Sequence, residues 1–244
     1  MKTFTLTCAM LLMSYFGLFA QSGMTIQGGG TLTVNGNLSI TPVFVCGQVL
    51  TDTRDGKTYS TVLIGAQCWM AQNLNVGARI NGPQEQTNNS VIEKYCSWDD
   101  GNNCTVYGGL YQWDEAMQYS TTEGAQGICP TGWHLPTDAE WTTLTAFLGG
   151  EAIAGGKMKE AGFAHWSAPN TGATNSSGFT ALPGGYRDNL GHFPGLNGDV
   201  DFWSSTQTPV TLAWARELDY SNVTVYRGAF IRPYAFSVRC MKDN

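Results

Sequence analysis

Oxygen-bearing side chains alternate along a short stretch in the C-terminal third of the chain. Asn197, Asp199 and Asp201 are separated by single residues, on what we expect to be a short loop bounded by glycine. In calcium-binding loops, alternate carboxylate and amide oxygens converge on one hard cation. Because calcium takes roughly six to eight oxygens, Glu217, backbone carbonyls or water would have to complete the set. A solvated turn, in which Asn and Asp bond their own backbone, is the favoured interpretation, and calcium is the alternative.

Two tryptophans and two asparagines have the chemistry of a sugar-binding surface. Aromatic rings of Trp166 and Trp203 would stack on sugar rings, while the amides of Asn170 and Asn175 would bond hydroxyl groups. Core packing is the usual role of a large aromatic side chain, and we favour it for each tryptophan. The four residues are nevertheless the candidate ligand-binding set.

A carboxylate site for hydrolysis would draw on Asp188, His192 and Glu217. Hydrolysis of glycosides needs two acids at a defined separation, which spacing along the chain does not establish. Acidic residues mostly lie on solvated surfaces. The chain also lacks the HExxH, nucleophile-elbow and phosphate-loop patterns, so we assign no catalytic residue.

The stretch "CPTGWHLPTDAEW", residues 129–141, contains several reactive residue types, but its pattern predicts a structural role. Thr137 followed three residues later by Glu140 is a capping box, which predicts that a helix starts here. An apolar stripe continues to the glycine pair at residues 149–150, where the helix should end. His134 has no second ligand at metal spacing, so we expect a buried ring bonded to backbone.

The first twenty residues have the pattern of a secretory signal. Lys2 is the only charge, an apolar run follows, and Ala20 offers a small residue for cleavage. The run is too short for a convincing membrane anchor, and no later segment is apolar enough to span a bilayer. We therefore expect a protein that is secreted or displayed at the cell surface.

Six cysteines remain after the signal, and an even number in an exported chain predicts disulfides. Six cysteines allow 15 connectivities. Local spacing favours two short-range pairs and leaves one long-range pair: Cys46–Cys68, Cys96–Cys104 and Cys129–Cys240.

The charge of the chain argues against nucleic acid as a partner. With Lys2 removed from the 13 basic residues, 12 remain against 19 acidic residues, and 12 − 19 gives a net charge of −7. Nucleic-acid binding calls for a basic patch, which scattered Lys and Arg do not supply.

The chain divides into a signal at residues 1–20, a β-hairpin and linker at residues 21–45, and one main domain at residues 46–244. Alternating residues on both sides of Asn35-Gly36 predict that hairpin, with the turn at this dipeptide. Helical spacing of Leu110, Trp113 and Met117 predicts a further short helix, and residues 77–105 read as a long loop. The C-terminal half alternates as an antiparallel meander, so the expected fold class is α+β.

Several long, collinear blocks resemble the Fibrobacter succinogenes major paralogous domain over about residues 46–242. The blocks are "CPTGWHLPTDAEWTTLTAFLGG", "AGGKMKEAG", "HWSAPNTGATNSSGFTALPGGYRD", "FWSST" and "FSVRC". That family is similar to C-type-lectin-like domains and, more distantly, to formylglycine-generating enzymes. The resemblance implies two short helices, twisted antiparallel sheets, and surface proteins of Bacteroidetes-like bacteria. It implies no established activity.

Neither relative brings its usual chemistry with it. Calcium-dependent lectins resemble one another in a Glu-Pro-Asn or Gln-Pro-Asp loop and a Trp-Asn-Asp strand, and here the nearest triplet, ending at Asn170, lacks the acid. Formylglycine-generating enzymes use a pair of copper-binding cysteines. Here, each of the six cysteines after the signal is predicted to form a disulfide, so none is left to bind copper.

Three classes of function follow from these patterns. The leading one is a non-enzymatic binding module that recognises a glycan or a surface protein through loops on a disulfide-braced scaffold. The second is a structural subunit of a surface adhesin or fibre, with the N-terminal hairpin as its docking strand. The third is a hydrolase that acts on extracellular glycans or proteins.

Overall fold

The computed structural model describes residues 16–19, 24–27, 31–34, 39–42, 44–208 and 211–243. The chain divides into two compact units, Met1–Val45 and Cys46–Asn244. The predicted signal peptide lies outside the described residues except for positions 16–19, which form a strand.

The N-terminal unit contains four short strands: β1 (Phe16–Phe19), β2 (Met24–Gln27), β3 (Thr31–Val34) and β4 (Ser39–Pro42). β2 pairs with β3 and β1 pairs with β4, both antiparallel. The hairpin predicted around Asn35-Gly36 is therefore wrong in its pairing, because the two strands that flank this dipeptide each take another partner. Alternation identifies a strand but leaves its partner open wherever the register is weakly specified. Residues 35–38 themselves lie outside the described residues.

The main unit contains thirteen strands and four α-helices among its described residues. The strands are β5 (Leu50–Thr51), β6 (Thr58–Tyr59), β7 (Thr61–Ile64), β8 (Gln67–Met70), β9 (Ala78–Arg79), β10 (Glu93–Lys94), β11 (Leu110–Gln112), β12 (Trp133–His134), β13 (Asp199–Gln207), β14 (Leu212–Asp219), β15 (Tyr226–Ile231), β16 (Ala235–Ser237) and β17 (Met241–Lys242). The helices are α1 (Gly101–Tyr107), α2 (Trp113–Ala116), α3 (Asp138–Phe147) and α4 (Glu151–Met158).

Two sheets organise the main unit, which confirms the α+β class. The larger has the strand order β11-β16-β13-β14-β15, and the smaller has the order β12-β17-β8-β7. The expected meander holds for β13, β14 and β15, which pair antiparallel in succession. It is wrong for β16, which lies on the other side of β13 and parallel to it. No helix among the described residues has the length and apolar character that a membrane crossing requires.

The helices follow the local signals in part. Thr137 and Glu140 form the predicted capping box, and α3 starts at the next residue after Thr137. The helix expected around Leu110 begins only at Trp113, because Leu110 belongs to β11. The expected count of two short helices is too low, since α1 begins within the stretch predicted as a loop and extends two residues beyond it.

Aromatic packing joins α3 to both sheets. The rings of Trp69 on β8 and Trp141 on α3 have their centroids 4.7 Å apart, and Trp141 lies 5.5 Å from Phe202 on β13. Phe179 completes this buried group. Burying one such ring stabilises a fold by about 1.5–3 kcal/mol, so these contacts fix the position of α3.

Three disulfides close the main unit, with the pairing that local spacing favoured: Cys46–Cys68, Cys96–Cys104 and Cys129–Cys240. The last one joins residues 111 positions apart and fixes the segment before β12 to the end of the chain. The Cys96–Cys104 bond ties the start of a short 3-10 helix, Ser97–Asp99, to α1.

Candidate functional site

A cleft of about 520 Å³ opens beside the C-terminal end of α1. Its walls come from segments far apart in sequence, since residues 56–59, 104–108 and 239 all line it. Polar and apolar groups share the lining surface about equally, and eleven of the seventeen lining residues have side chains able to form hydrogen bonds, among them Lys57, Gln72, Asn73, Asn75, Tyr107, Glu160 and Arg239. Ligand pockets have volumes of roughly 300–1,000 Å³, so the cleft is large enough for a small oligosaccharide.

Close packing behind Tyr107 holds one wall in place. The side-chain amide of Asn73 donates to the backbone carbonyl of Tyr107 at 2.8 Å. Gly108 ends α1 with a φ of 82°, and a Cβ atom at this position would lie 2.6 Å from the Cβ of Asn73. Glycine is therefore required here both for its backbone angle and for the close approach.

Arg239 lies beneath the floor of the cleft and is fully buried. Its guanidinium donates to the side chain of Asn73 and to the carbonyl oxygens of Met70 and Thr180. It also stacks on Phe179, with 4.4 Å between the guanidinium carbon and the ring centroid. Burial lowers the pKa of Arg239 to about 9. Since these partners are neutral, the floor carries positive charge.

The rim combines groups of both charges with a phenol. Tyr107 donates its hydroxyl to Oδ1 of Asn197 at 2.9 Å, and its ring meets His165 edge-on with centroids 5.8 Å apart. The Nδ1 atom of His165 lies 2.9 Å from a carboxylate oxygen of Glu160. Lys57 pairs with Asp55 on the far side. The arrangement can donate and accept hydrogen bonds around a polar ligand.

The residues predicted to bind calcium do not form a loop. Asp199 and Asp201 lie on strand β13, and Glu217 lies directly opposite Asp201 on β14. The oxygen of Asn197 is turned toward Tyr107. Among the residues that the structure describes, no group of three or more His, Cys, Asp or Glu side chains has an arrangement that could hold a metal ion.

What the structure does bring together is a group of three carboxyls, Asp199, Asp201 and Glu217, called here the acid cluster. Burial raises the pKa of Asp201 well above its usual range, and the neighbouring Asp199 and Glu217 add to that rise. Burial also raises the pKa of Asp199, to about 7, and that of Glu217. The cluster therefore retains protons at pH values where exposed carboxyls are ionised.

Trp166 and Trp203 are interior residues, so their predicted contact with a ligand is wrong. The indole of Trp166 donates to the carbonyl of Ala181 at 2.9 Å, and that of Trp203 donates to Tyr111 at 2.8 Å. Both rings are buried. The alternative that we favoured for them, core packing, is the one that the structure shows.

The two candidate asparagines hold loops rather than present free amides. Asn170 donates to the carbonyls of Glu160 and Gly162. Asn175 accepts from the backbone N–H of Thr180 at 2.9 Å and donates to its hydroxyl. Since Thr180 lines the cleft, Asn175 acts on the cleft wall indirectly.

Asp188, His192 and Glu217, which were considered for hydrolysis, do not form one site. Asp188 and His192 pair with each other, with 3.0 Å between Oδ2 and Nδ1, on an exposed turn. Glu217 faces Asp201 within the sheet. No hydrogen bond or ion pair joins Glu217 to the Asp188–His192 pair in the described part of the chain.

His134 has carboxylates as partners where we expected backbone. Its Nδ1 lies 2.7 Å from Asp243 and its Nε2 lies 3.1 Å from Glu140, the residue that also closes the capping box. These two acids raise the pKa of His134, with the hydrogen bond to Glu140 as the largest cause. The residue supports the start of α3 electrostatically.

The sequence did not point to the residues that form the cleft rim. Tyr107 and Glu160 come from separate segments, and no motif links them. His165, which contacts both, lies five residues after Glu160. It also missed Trp98, whose side chain is 69% exposed. The only signal near Trp98 was the close spacing of Cys96 and Cys104, which marks a constrained loop.

A mixed α+β domain closed by disulfides, with a polar cleft at its surface, is the class of protein that these features define. The sequence model of the Fibrobacter succinogenes major domain matches residues 62–242, more than half of the chain. The chain therefore belongs to this family, as its sequence blocks indicated. Comparison with curated proteins and with solved structures gave no match.

Proposed function

We propose that this protein is a secreted or surface-displayed binding module, without catalytic activity, that takes a glycan in the cleft beside α1. The observation that carries the proposal is the cleft itself, about 520 Å³ in volume, with hydrogen-bonding side chains on eleven of its seventeen lining residues. Its loops rest on a scaffold braced by disulfides, which persist in oxidising compartments outside the cell.

The chemistry of the lining favours a polyhydroxylated ligand over an apolar one. Carboxylate, ammonium and phenol groups meet at the rim, on Glu160, Lys57 and Tyr107. Sugar hydroxyls both donate and accept hydrogen bonds, so they can satisfy all three. The positive charge of Arg239 beneath the floor also favours electron-rich oxygen atoms.

A C-type-lectin-like topology is the finer fold that we propose. The pairing of β17 with β8 and β12 brings the end of the chain against one early strand and one from the middle of the chain. Long segments with little regular structure, such as residues 160–198, then lie on one scaffold. Recognition commonly resides on such loops.

Blocking the cleft tests the proposal. Thr105 lines the cleft on α1, and Thr143 is an equally exposed threonine on α3. Each donates its hydroxyl to the carbonyl four residues earlier, so they are matched positions. Thr105→Trp should abolish binding of the full oxidised chain to a printed oligosaccharide array, and Thr143→Trp should not. Equal binding by both variants would refute the assignment to the cleft.

A structural role in a surface assembly is the second candidate. The four strands of the N-terminal unit form a body separate from the cleft-bearing unit, which suits an attachment module. Deleting residues 21–45 separates the two functions. A binding module keeps its glycan profile after the deletion, whereas an assembly subunit loses incorporation into the surface structure.

A further inference from the structure

Trp98 is the most exposed tryptophan in the described chain, at 69%. Five of the others are fully buried, and they are Trp69, Trp113, Trp141, Trp166 and Trp203. A large aromatic ring in water loses the stabilisation that burial would give it. Packing in the core therefore does not explain why a tryptophan occupies position 98.

The backbone at this position is also unfavourable for the residue it holds. Trp98 has φ 59° and ψ 25°, in the left-handed region, and Asp99 follows with φ 52°. A bulky residue in this region is an outlier that costs about 1–2 kcal/mol relative to glycine. Such strain persists where the surrounding structure enforces it, and it concentrates at functional sites.

Three contacts hold the backbone of this loop in place around Trp98. The Cys96–Cys104 disulfide closes the loop around Trp98. The backbone N–H of Gly82 donates to Oδ1 of Asp99 at 2.8 Å, and the Arg79 guanidinium donates to its carbonyl at 3.0 Å. The backbone that carries Trp98 is thus fixed before any ligand arrives, which lowers the entropy lost on binding.

We propose that Trp98 is an aromatic subsite that stacks on one sugar ring of a glycan. Polar residues, among them Asp100 and Asn102, follow it directly, and Arg79 lies beside the same loop. A single apolar face bordered by hydrogen-bonding groups matches one pyranose, with its hydroxyls at the edge. A protein partner would need a much larger contact, of roughly 800 Å² on this chain.

The subsite rests on the proposed function and extends it. Trp98 precedes α1 and Tyr107 ends it, and a helix of seven residues is about 10 Å long. A glycan of several sugars could therefore occupy the cleft and reach Trp98. This implies that oligosaccharides bind more tightly than the monosaccharides that compose them.

Acrylamide quenching of fluorescence, combined with the oligosaccharide array, tests the subsite in the full oxidised chain. Since Trp98 dominates the quenchable signal, an array-positive oligosaccharide should protect the wild type from acrylamide. Trp98→Ala should weaken binding by about tenfold or more, as truncating an interface tryptophan does. Trp98→Phe should retain part of the affinity. Phe147→Ala, which removes an exposed aromatic at 65% exposure, is the control and should bind normally.

The outcomes separate the subsite from the proposed function. Undiminished binding by Trp98→Ala, with the Thr105→Trp variant inactive, would overturn the subsite and leave the cleft assignment standing. Absence of any array signal from the wild type would overturn both. A change in sedimentation of Trp98→Ala, with glycan binding intact, would assign the ring to self-association and also overturn the subsite.

Discussion

Asp201 and Glu217 lie directly opposite each other on the antiparallel strands β13 and β14, and Asp201 is only 3% exposed. Two carboxyls in register on one sheet face repel when both are ionised. Asp199, two residues before Asp201, adds a third group to this face. Asp219 and Tyr186 also lie near enough to interact with the cluster electrostatically.

The acid cluster predicts that stability falls as pH rises. Its three pKa values are raised in the folded chain, with Asp199 at about 7, so the folded state holds more protons than the unfolded state. The free energy of unfolding should therefore decrease from about pH 4, near the usual carboxyl pKa, through pH 7. Asp201→Asn should flatten this slope and make the variant more stable than the wild type at pH 8.

Urea unfolding at pH 5 and pH 8 measures this effect, with Asp55→Asn, on the exposed turn before β6, as the control. An Asp201→Asn variant that is less stable than the wild type at pH 8 would contradict a protonated cluster. Stabilisation of the wild type by millimolar calcium, reversed by EDTA and absent in the variant, would restore the calcium alternative.

His134 predicts a second, separate pH effect. Glu140 and Asp243 raise its pKa, so the charged imidazole stabilises the folded state. This contribution is complete below about pH 6.5, the usual histidine pKa, and is lost as pH rises through the higher folded pKa. His134→Gln should cost up to about 1 kcal/mol at pH 5.5 and less at pH 9, since the site is partly exposed. Exposed His192→Gln is the control, and a pH-independent cost at His134 would refute the ion-pair account.

Thr137 predicts a simple cost in stability. Its hydroxyl accepts from the backbone N–H of Glu140 at 3.1 Å, and its own N–H donates to the Glu140 carboxylate at 2.8 Å. Thr137→Ala should lower the free energy of unfolding by about 1 kcal/mol, with glycan binding unchanged. Thr143→Ala, in the middle of the same helix, should be neutral or slightly stabilising. Equal effects at both positions would remove the cap as the cause.

The long and short disulfides should differ in what they contribute. In the chain-entropy model, the Cys129–Cys240 bond, which spans 111 positions, contributes about 4–5 kcal/mol. The Cys96–Cys104 bond spans 8 positions and contributes about 2–3 kcal/mol. Paired alanine variants of each bond, compared by urea unfolding, should reproduce that order. The reverse order would show that native-state contacts around the short loop outweigh chain entropy.

Trp98 predicts an inverted preference between glycine and alanine. At ordinary positions alanine is the more stable of the two, by up to about 1 kcal/mol. At φ 59° the left-handed backbone favours glycine, so Trp98→Gly should be more stable than Trp98→Ala by about 1 kcal/mol. Thermal unfolding of the two variants gives the comparison directly. Greater stability of Trp98→Ala would mean that the loop is not held in this conformation in solution.

Patterns among neighbouring residues predicted some features of the structure but gave no information about which distant segments pair. The capping box at Thr137 and the short Cys96–Cys104 pair depend on residues a few positions apart, and both were predictable. The place of β16 beside β13 depends on which distant strands meet, and alternation carries no such information. The members of the acid cluster were considered together only as calcium ligands on an expected loop, and the structure places Asp199 and Asp201 on strand β13 instead.

The cleft was not predicted either, because it depends on contacts between segments that are far apart in the sequence. Nothing in the spacing of Tyr107, Glu160 and Arg239 indicates that they meet, since each arrives on a separate segment. The sequence also did not predict which tryptophan side chains are exposed to solvent. Trp98 and Trp203 are the same residue type in similar polar surroundings, yet one lies at the surface and the other in the core.

Mapping of backbone amide chemical shifts during titration with an array-positive oligosaccharide tests the central claim most directly. Binding in the cleft predicts the largest shifts at residues that line it, such as Thr58, Tyr107, Gly108 and Thr180, with a further group near Trp98. Thr105→Trp should remove the cleft shifts, and Thr143→Trp should leave them in place. Shifts confined to a distant surface such as β15, or no shifts at saturating oligosaccharide, would contradict the claim.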